Sequence, residues 1–139
     1  MTHAPKDTVA EVHVAVSMNL PGPYPMYTCD QFETNPSPDC TVKCTVPTNI
    51  VFTLDQATID AGWHFAGYSP NSSSPMPLHT NLGFSSAYPN LSVTVFNPCK
   101  RKGDIHSFSL YYCNEAINSG APFSFDPETE NTGVGTGGD

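Results

Sequence analysis

Cysteines, histidines and one short run of cations are the residues in this chain whose types and spacing could do chemistry. Cys29, Cys40 and Cys44 are spaced C-x10-C-x3-C, a trio of soft ligands that zinc can use with a fourth donor from a histidine or a distant cysteine. His13 and His64 form a second metal candidate. Each falls on the polar side of a predicted strand, and side-by-side strands would bring both imidazoles onto one surface for copper or zinc. Cys99 is followed by Lys100, Arg101 and Lys102, three of the five basic residues of the chain, and such charge lowers a thiol pKa. Asp126, Glu128 and Glu130 alternate, so an extended backbone would aim three carboxylates the same way, as a hard cation such as calcium requires.

Each of these has a plainer reading. Five cysteines cannot all pair internally, and simple thiols are the expectation. In "TVKCTV" Val42, Cys44 and Val46 alternate with Thr41, Lys43 and Thr45, which makes Cys44 a small buried hydrophobe. The cations fall between Asn97-Pro98 and Gly103-Asp104, where turn chemistry predicts a solvated hairpin tip that steers an acidic partner or a second copy of the chain. The carboxylates near Pro127 keep a strand end soluble, and the complete EF-hand loop pattern is absent. No nucleophile elbow, P-loop, H-E-x-x-H or dinucleotide fingerprint occurs. The expectation is a protein that is not an enzyme, with no catalytic residues and no cofactor.

The elements that would position these residues follow from composition. The chain has 139 residues, 14 of them proline, and only 13% are charged, a profile that favours strands and turns over helices in one domain spanning 1–139. A net charge of -8 argues against the nonspecific phosphate contacts of nucleic-acid binding and against anionic membranes, so neither partner is expected. Glu11 and His13 interrupt the first apolar segment, so neither a signal peptide nor a membrane span is expected, and the chain reads as cytoplasmic.

Period-two alternation predicts strands at "VAEVHVAVSM", with Val12, Val14, Val16 and Met18 inward, and at "TVKCTV", "TNIVFTLD", "GWHFAGYS", "LSVTVFN" and "IHSFSLYYC". "DQATIDAG" allows one short helical turn. Residues 19–40 are rich in proline and cysteine and read as a long loop that can hide an edge strand around Tyr27 to Phe32. Residues 69–77 read as a surface loop, and 131–139 as a glycine-rich tail. The predicted architecture is all-β: an antiparallel β-sandwich, roughly immunoglobulin-like, with seven or eight short strands and at most one or two helical turns.

The closing motif "FSFDPETEN" resembles that of the DP-EP family, small bacterial proteins of unknown function with a β-rich, sandwich-like fold. Asp126, Pro127, Glu128 and Asn131 match its Asp-Pro-Glu and Asn signature, and the strands before it are similar in pattern. Thr129 stands where the family has an aliphatic residue, and the segment 19–47 is an elaboration. The resemblance implies a sandwich fold and no known enzyme activity, so it carries over no catalytic residues.

Three functional classes follow. The first is a nonenzymatic interaction or structural module that partners itself, as a homo-oligomer, or another protein, through an edge strand or the proline-rich loop. The second is a metal-binding protein using Cys29, Cys40, Cys44, His13 or His64. The third is a carbohydrate- or small-ligand-binding sandwich with Trp63, Tyr68 and Tyr88 on a concave face. Lys100, Arg101, Lys102, Asp126 and Glu128 are the binding candidates outside the metal set.

Overall fold

A computed structural model of the chain describes residues 8–18, 23–31, 36–70, 79–80 and 91–132. Of the surface loop expected at 69–77 only Ser69 and Pro70 are described, both as strand; residues 71–77, Tyr88 and the end of the tail lie outside the described residues. The strands are β1 (Thr8–Ser17), β2 (Tyr24–Thr28), β3 (Thr41–Cys44), β4 (Thr48–Leu54), β5 (His64–Pro70), β6 (His79–Thr80), β7 (Ser92–Asn97), β8 (Ile105–Cys113), β9 (Phe123–Phe125) and β10 (Glu128–Asn131). They build two sheets, ordered β2-β1-β4-β7-β6 and β3-β10-β8-β5, with β9 beside β8.

Alternation explains which face of each strand is inward. In β1 Val12 and Val14 are buried while Glu11 and His13 are exposed, and in β4 Ile50, Phe52 and Leu54 are buried. Val42, Phe65, Phe108, Leu110 and Tyr112 of the second sheet join the same core cluster. The ring of Phe52 meets that of Phe108 edge-on, with centroids 6.0 Å apart and planes at 77°, joining the two sheets by a favourable aromatic contact. Met18 falls just past the end of β1 and is exposed, contrary to its expected inward place.

The all-β expectation holds, but both sheets are mixed rather than antiparallel. β1 pairs with β4 in parallel, Thr8 opposite Thr48 and Val14 opposite Leu54. β3 pairs with β10 in parallel, Glu128 opposite Thr41 and Asn131 opposite Cys44. A parallel pair needs a long crossover, and here the chain leaves β1, adds β2 antiparallel to it, crosses to the second sheet as β3 and returns as β4. The edge strand expected around Tyr27 to Phe32 is β2, which lies earlier, at Tyr24–Thr28, on the sheet edge that its Pro25 requires.

The one helical turn, α1 (Gln56–Asp60), begins at Asp55, whose Oδ1 accepts the Thr58 N–H at 2.8 Å, and stops before Gly62, which has φ +103°. Thr58 Oγ1 accepts the Val16 N–H at 3.1 Å and so ties the turn to β1. In β5 the register slips between Phe65 and Gly67. Gly67 comes opposite Tyr111, and Tyr68 comes opposite the buried Leu110 and packs its ring against Phe108 at 5.7 Å. Trp63 is buried against Phe123 at 5.8 Å. The stacking face expected of Trp63 and Tyr68 is thus core rather than open surface.

Residues 98–104 are not a hairpin tip, because β7 and β8 belong to different sheets. They form a crossover. Pro98 cannot continue a ladder, and Cys99 takes a left-handed φ of +53° while its N–H is held by Asn97 Oδ1 at 2.8 Å. Pro127 does not end the last strand either. Having no N–H, it interrupts pairing on β8, so that β9 lies along Leu110–Tyr112, β10 lies along Ile105–Ser107, and the Pro127 carbonyl accepts the Phe108 N–H at 3.2 Å.

Candidate functional site

β3 is an edge strand, and its own hydrogen bonds say which way it faces. The carbonyls of Cys40 and Cys44 accept the N–H groups of Glu128 and Thr132 on the β10 side, at 2.9 and 3.0 Å. The peptide groups of Lys43 therefore point the other way. There the side chain of Gln31 meets them twice: Gln31 Oε1 accepts the Lys43 N–H at 2.7 Å, and Gln31 Nε2 donates to the Lys43 carbonyl at 2.9 Å. This is the exchange of two bonds that an antiparallel neighbour makes with one residue, performed by a side-chain amide in place of a strand.

β1 leaves a second edge open nearby. β2 covers only His13 to Ser17, so among the described residues no strand pairs with Thr8–Val12 on that side. Between the two edges runs a groove of about 730 Å³, lined among others by Glu11, His13, Cys29, Asp30, Lys43 and Cys44. The volume is in the range of sites that hold small ligands, roughly 300–1,000 Å³. Acidic, basic and neutral polar groups all line it, so it offers hydrogen bonding more than a single charge.

The groove unites three of the metal candidates, His13, Cys29 and Cys44, but not as a ligand set. Among the described residues no three His, Cys, Asp or Glu side chains are placed to hold an ion. Cys40 lies in a separate cleft with Asp126 and Glu128. His13 and His64 are not brought together: β1 is in the first sheet, between Thr28 and Thr53, and β5 in the second, where His64 lies opposite Cys113. His64 instead meets Glu115 at 3.5 Å.

All five cysteines are free thiols and all are buried. Cys44 is the small core residue its alternation predicts, with Sγ 3.3 Å from Thr129 Oγ1. Burial pushes the Cys40 thiol well above its ordinary range, with the neighbouring Cys29 and Glu128 adding to the effect. The basic run does not activate Cys99. Its Sγ points inward, donating to the Cys44 carbonyl at 3.4 Å, and burial raises its pKa, with Cys44 adding. Lys100, Arg101 and Lys102 are exposed on the crossover, and Arg101 Nε is 3.2 Å from Asp104 Oδ2. The loop beneath them is held by Asn131, whose Nδ2 donates to the Arg101 carbonyl at 2.8 Å.

The Asp-Pro-Glu motif has structural employment. Asp126 Oδ1 accepts the Ser109 hydroxyl at 2.8 Å, and Glu128 Oε1 accepts the Thr41 hydroxyl at 2.9 Å. Thr129, placed where an aliphatic residue is expected, is fully buried and uses its hydroxyl to donate to the Val42 carbonyl at 2.9 Å. Gln31 escaped sequence reasoning because nothing in its neighbours marks it. Its role depends on a strand twelve residues away.

Only four large apolar side chains are exposed among the described residues, Val9, Met18, Leu91 and Ile105, and they belong to different strands or flanks. No helix among the described residues is long and apolar enough to cross a membrane.

No family model matches the chain, and no curated protein does. Among solved structures it is similar to the crystal structure of an inclusion body protein (PixA) from Burkholderia cenocepacia J2315, at 10% identity and a TM-score of 0.43, over 94% of this chain and 99% of that one.

Proposed function

We propose that this chain is a nonenzymatic protein-interaction module that takes an extended peptide segment of another protein along the outer edge of β3. The observation that carries this reading is the double hydrogen bond from the Gln31 amide to Lys43. An edge satisfied by an exposed side-chain amide, rather than by backbone, accepts a strand at the cost of one side-chain exchange. The adjoining groove supplies room for alternate side chains, with Cys29 and Cys44 on its wall and the open half of β1 opposite. Membership of the DP-EP family, and a sandwich arrangement of the two sheets, belong to the same proposal. They are supported by the roles of Asp126, Glu128 and Asn131 and by the shared core.

The test is selection of a random linear peptide library against the immobilised chain, followed by backbone amide mapping of any enriched peptide. Enriched peptides should perturb Lys43 and its neighbours and should lose binding to Lys43→Pro, which removes the edge N–H at a position where proline fits an edge strand. Peptides that map elsewhere, bind Lys43→Pro equally, or fail to enrich at all would count against the reading.

A further inference from the structure

The open half of β1 presents its backbone to the groove in a fixed pattern. The Thr8 N–H donates to the Pro47 carbonyl at 3.1 Å, and the Val14 carbonyl accepts the Asp55 N–H at 2.9 Å, so the even-numbered residues of β1 turn their peptide groups toward β4. Val9 and Glu11 therefore turn theirs the other way, into the groove. β2 stops with Thr28 opposite His13, and among the described residues no backbone group bonds to Val9 or Glu11 on that side. Sheet edges are ordinarily blunted by proline, by charge or by a covering group. β2 has Pro25 and β3 has the Gln31 amide, whereas residues 8–12 have only Glu11, beside a Val9 that is 56% exposed.

The two edges are linked by a short stretch of chain. Thr28 lies opposite His13 and Gln31 bonds to Lys43, so residues 29–31 alone carry the backbone from one edge to the other. A helix satisfies its backbone internally and offers nothing to either edge. An extended polypeptide turns alternate N–H and C=O groups to opposite sides and so offers partners to both. Cross-strand pairing then selects its side chains, an apolar residue opposite Val9 and a basic one opposite Glu11, two positions away on the same face. The surrounding charge agrees. Glu11 and Asp30 line the groove against one lysine, neither carboxylate is ion-paired with a described residue, and the whole chain carries -8.

We propose, on the reading that β3 takes a peptide, that the segment enters as a bridging strand paired through its second edge with Val9 and Glu11 of β1, and that it is basic, with a lysine or arginine opposite Glu11.

Backbone amide titration of the isotope-labelled protein with a capped heptapeptide tests this, the probe having threonine at its odd positions and valine, lysine and valine between them. Its side-chain order is the same in either direction. It should shift the amides of Val9, Glu11 and Lys43 saturably and together. Glutamate in place of its lysine should weaken binding about tenfold, and Glu11→Lys, at an exposed position, should reverse that order. Alternate N–H groups of a strand face opposite edges, so N-methylation of the threonines blocks one edge of the probe and N-methylation of the central three residues the other. Each should weaken binding about tenfold or more. A methylated probe that binds as well as the unmethylated one, while Lys43→Pro still abolishes binding, would overturn the bridging strand and leave the β3 reading standing. Silence at Lys43 as well as at Val9 and Glu11 would remove both. Equal binding of the glutamate probe would overturn the basic partner, and self-association of the free chain abolished by Val9→Pro would assign the β1 edge to a second copy instead.

Discussion

Asn97, the last residue of β7, donates from Nδ2 to Asn131 Oδ1, at the end of β10, over 2.9 Å, and the same nitrogen donates to Thr129 Oγ1 at 2.9 Å. All three residues are buried at 1% exposure or less. The bond joins the two sheets through a polar bridge inside an apolar core. Asn131 continues it to the Arg101 carbonyl, and Asn97 Oδ1 takes the Cys99 N–H. Each member supplies a partner that the others need.

Asn97→Leu should therefore cost about 2–4 kcal/mol, since it leaves Asn131, Thr129 and the Cys99 N–H short of partners in a dry site. Urea denaturation of the variant against the parent measures this. A loss within experimental error of zero would show that water enters and replaces the amide.

Two glycines at positive φ should respond differently to alanine. Gly62 has φ +103°, and a Cβ there would come 3.1 Å from Asn114 Oδ1, whereas Gly103 has φ +92° with nothing within 4 Å. Gly103→Ala should cost about 1 kcal/mol of backbone strain, and Gly62→Ala distinctly more, because Asn114 also caps Ala61 through Nδ2 at 2.8 Å. Parallel thermal melts of the two variants rank them.

Stability should fall on the alkaline side. Burial raises the pKa of Cys40, Tyr27 and Tyr112 in the folded chain, so the native state keeps protons that the unfolded chain releases from about pH 8.5 upward. Their contribution is fully present below that pH and is lost as pH rises, by roughly 1.4 kcal/mol per pH unit for each group that titrates. Urea denaturation in reductant from neutral pH upward checks the sign, and Cys40→Ala should make the slope shallower.

The same burial should protect the thiols. In the native protein iodoacetamide should add slowly to all five cysteines, Cys113 with its 8% exposure reacting first, while in denaturant five adducts should form. Intact mass against time reads the count. Rapid native labelling of Cys99 would reverse the account given of the basic run.

The face of each strand was legible, because alternation decides it locally: Val12, Val14, Ile50, Phe52, Phe108 and Leu110 are all buried as predicted. Neighbour and direction were not, because alternation is identical in parallel and antiparallel strands, and β1–β4 and β3–β10 are parallel. The same limit turned an expected hairpin at Lys100–Lys102 into a crossover between sheets. The Tyr27–Tyr112 pair and the Gln31–Lys43 bonds depend on long-range register, so neither motif nor spacing points to them. The Asp126-Pro127-Glu128 motif was visible, but its pattern alone could not show that the chain resumes as β10 beyond it.

The parallel pairing of β3 with β10 also sets an order on synthesis. β3 has no other strand partner among the described residues, and Thr41 must wait for Glu128, 87 positions later, before its ladder can close. A ribosome delivers that partner only after β4 to β9. The first sheet can assemble on the nascent chain while β3 stays unpaired, and the second sheet can close only after β10 has left the exit tunnel. Arrest of translation before Asn131 would then leave β3 as an unpaired strand, a route to aggregation.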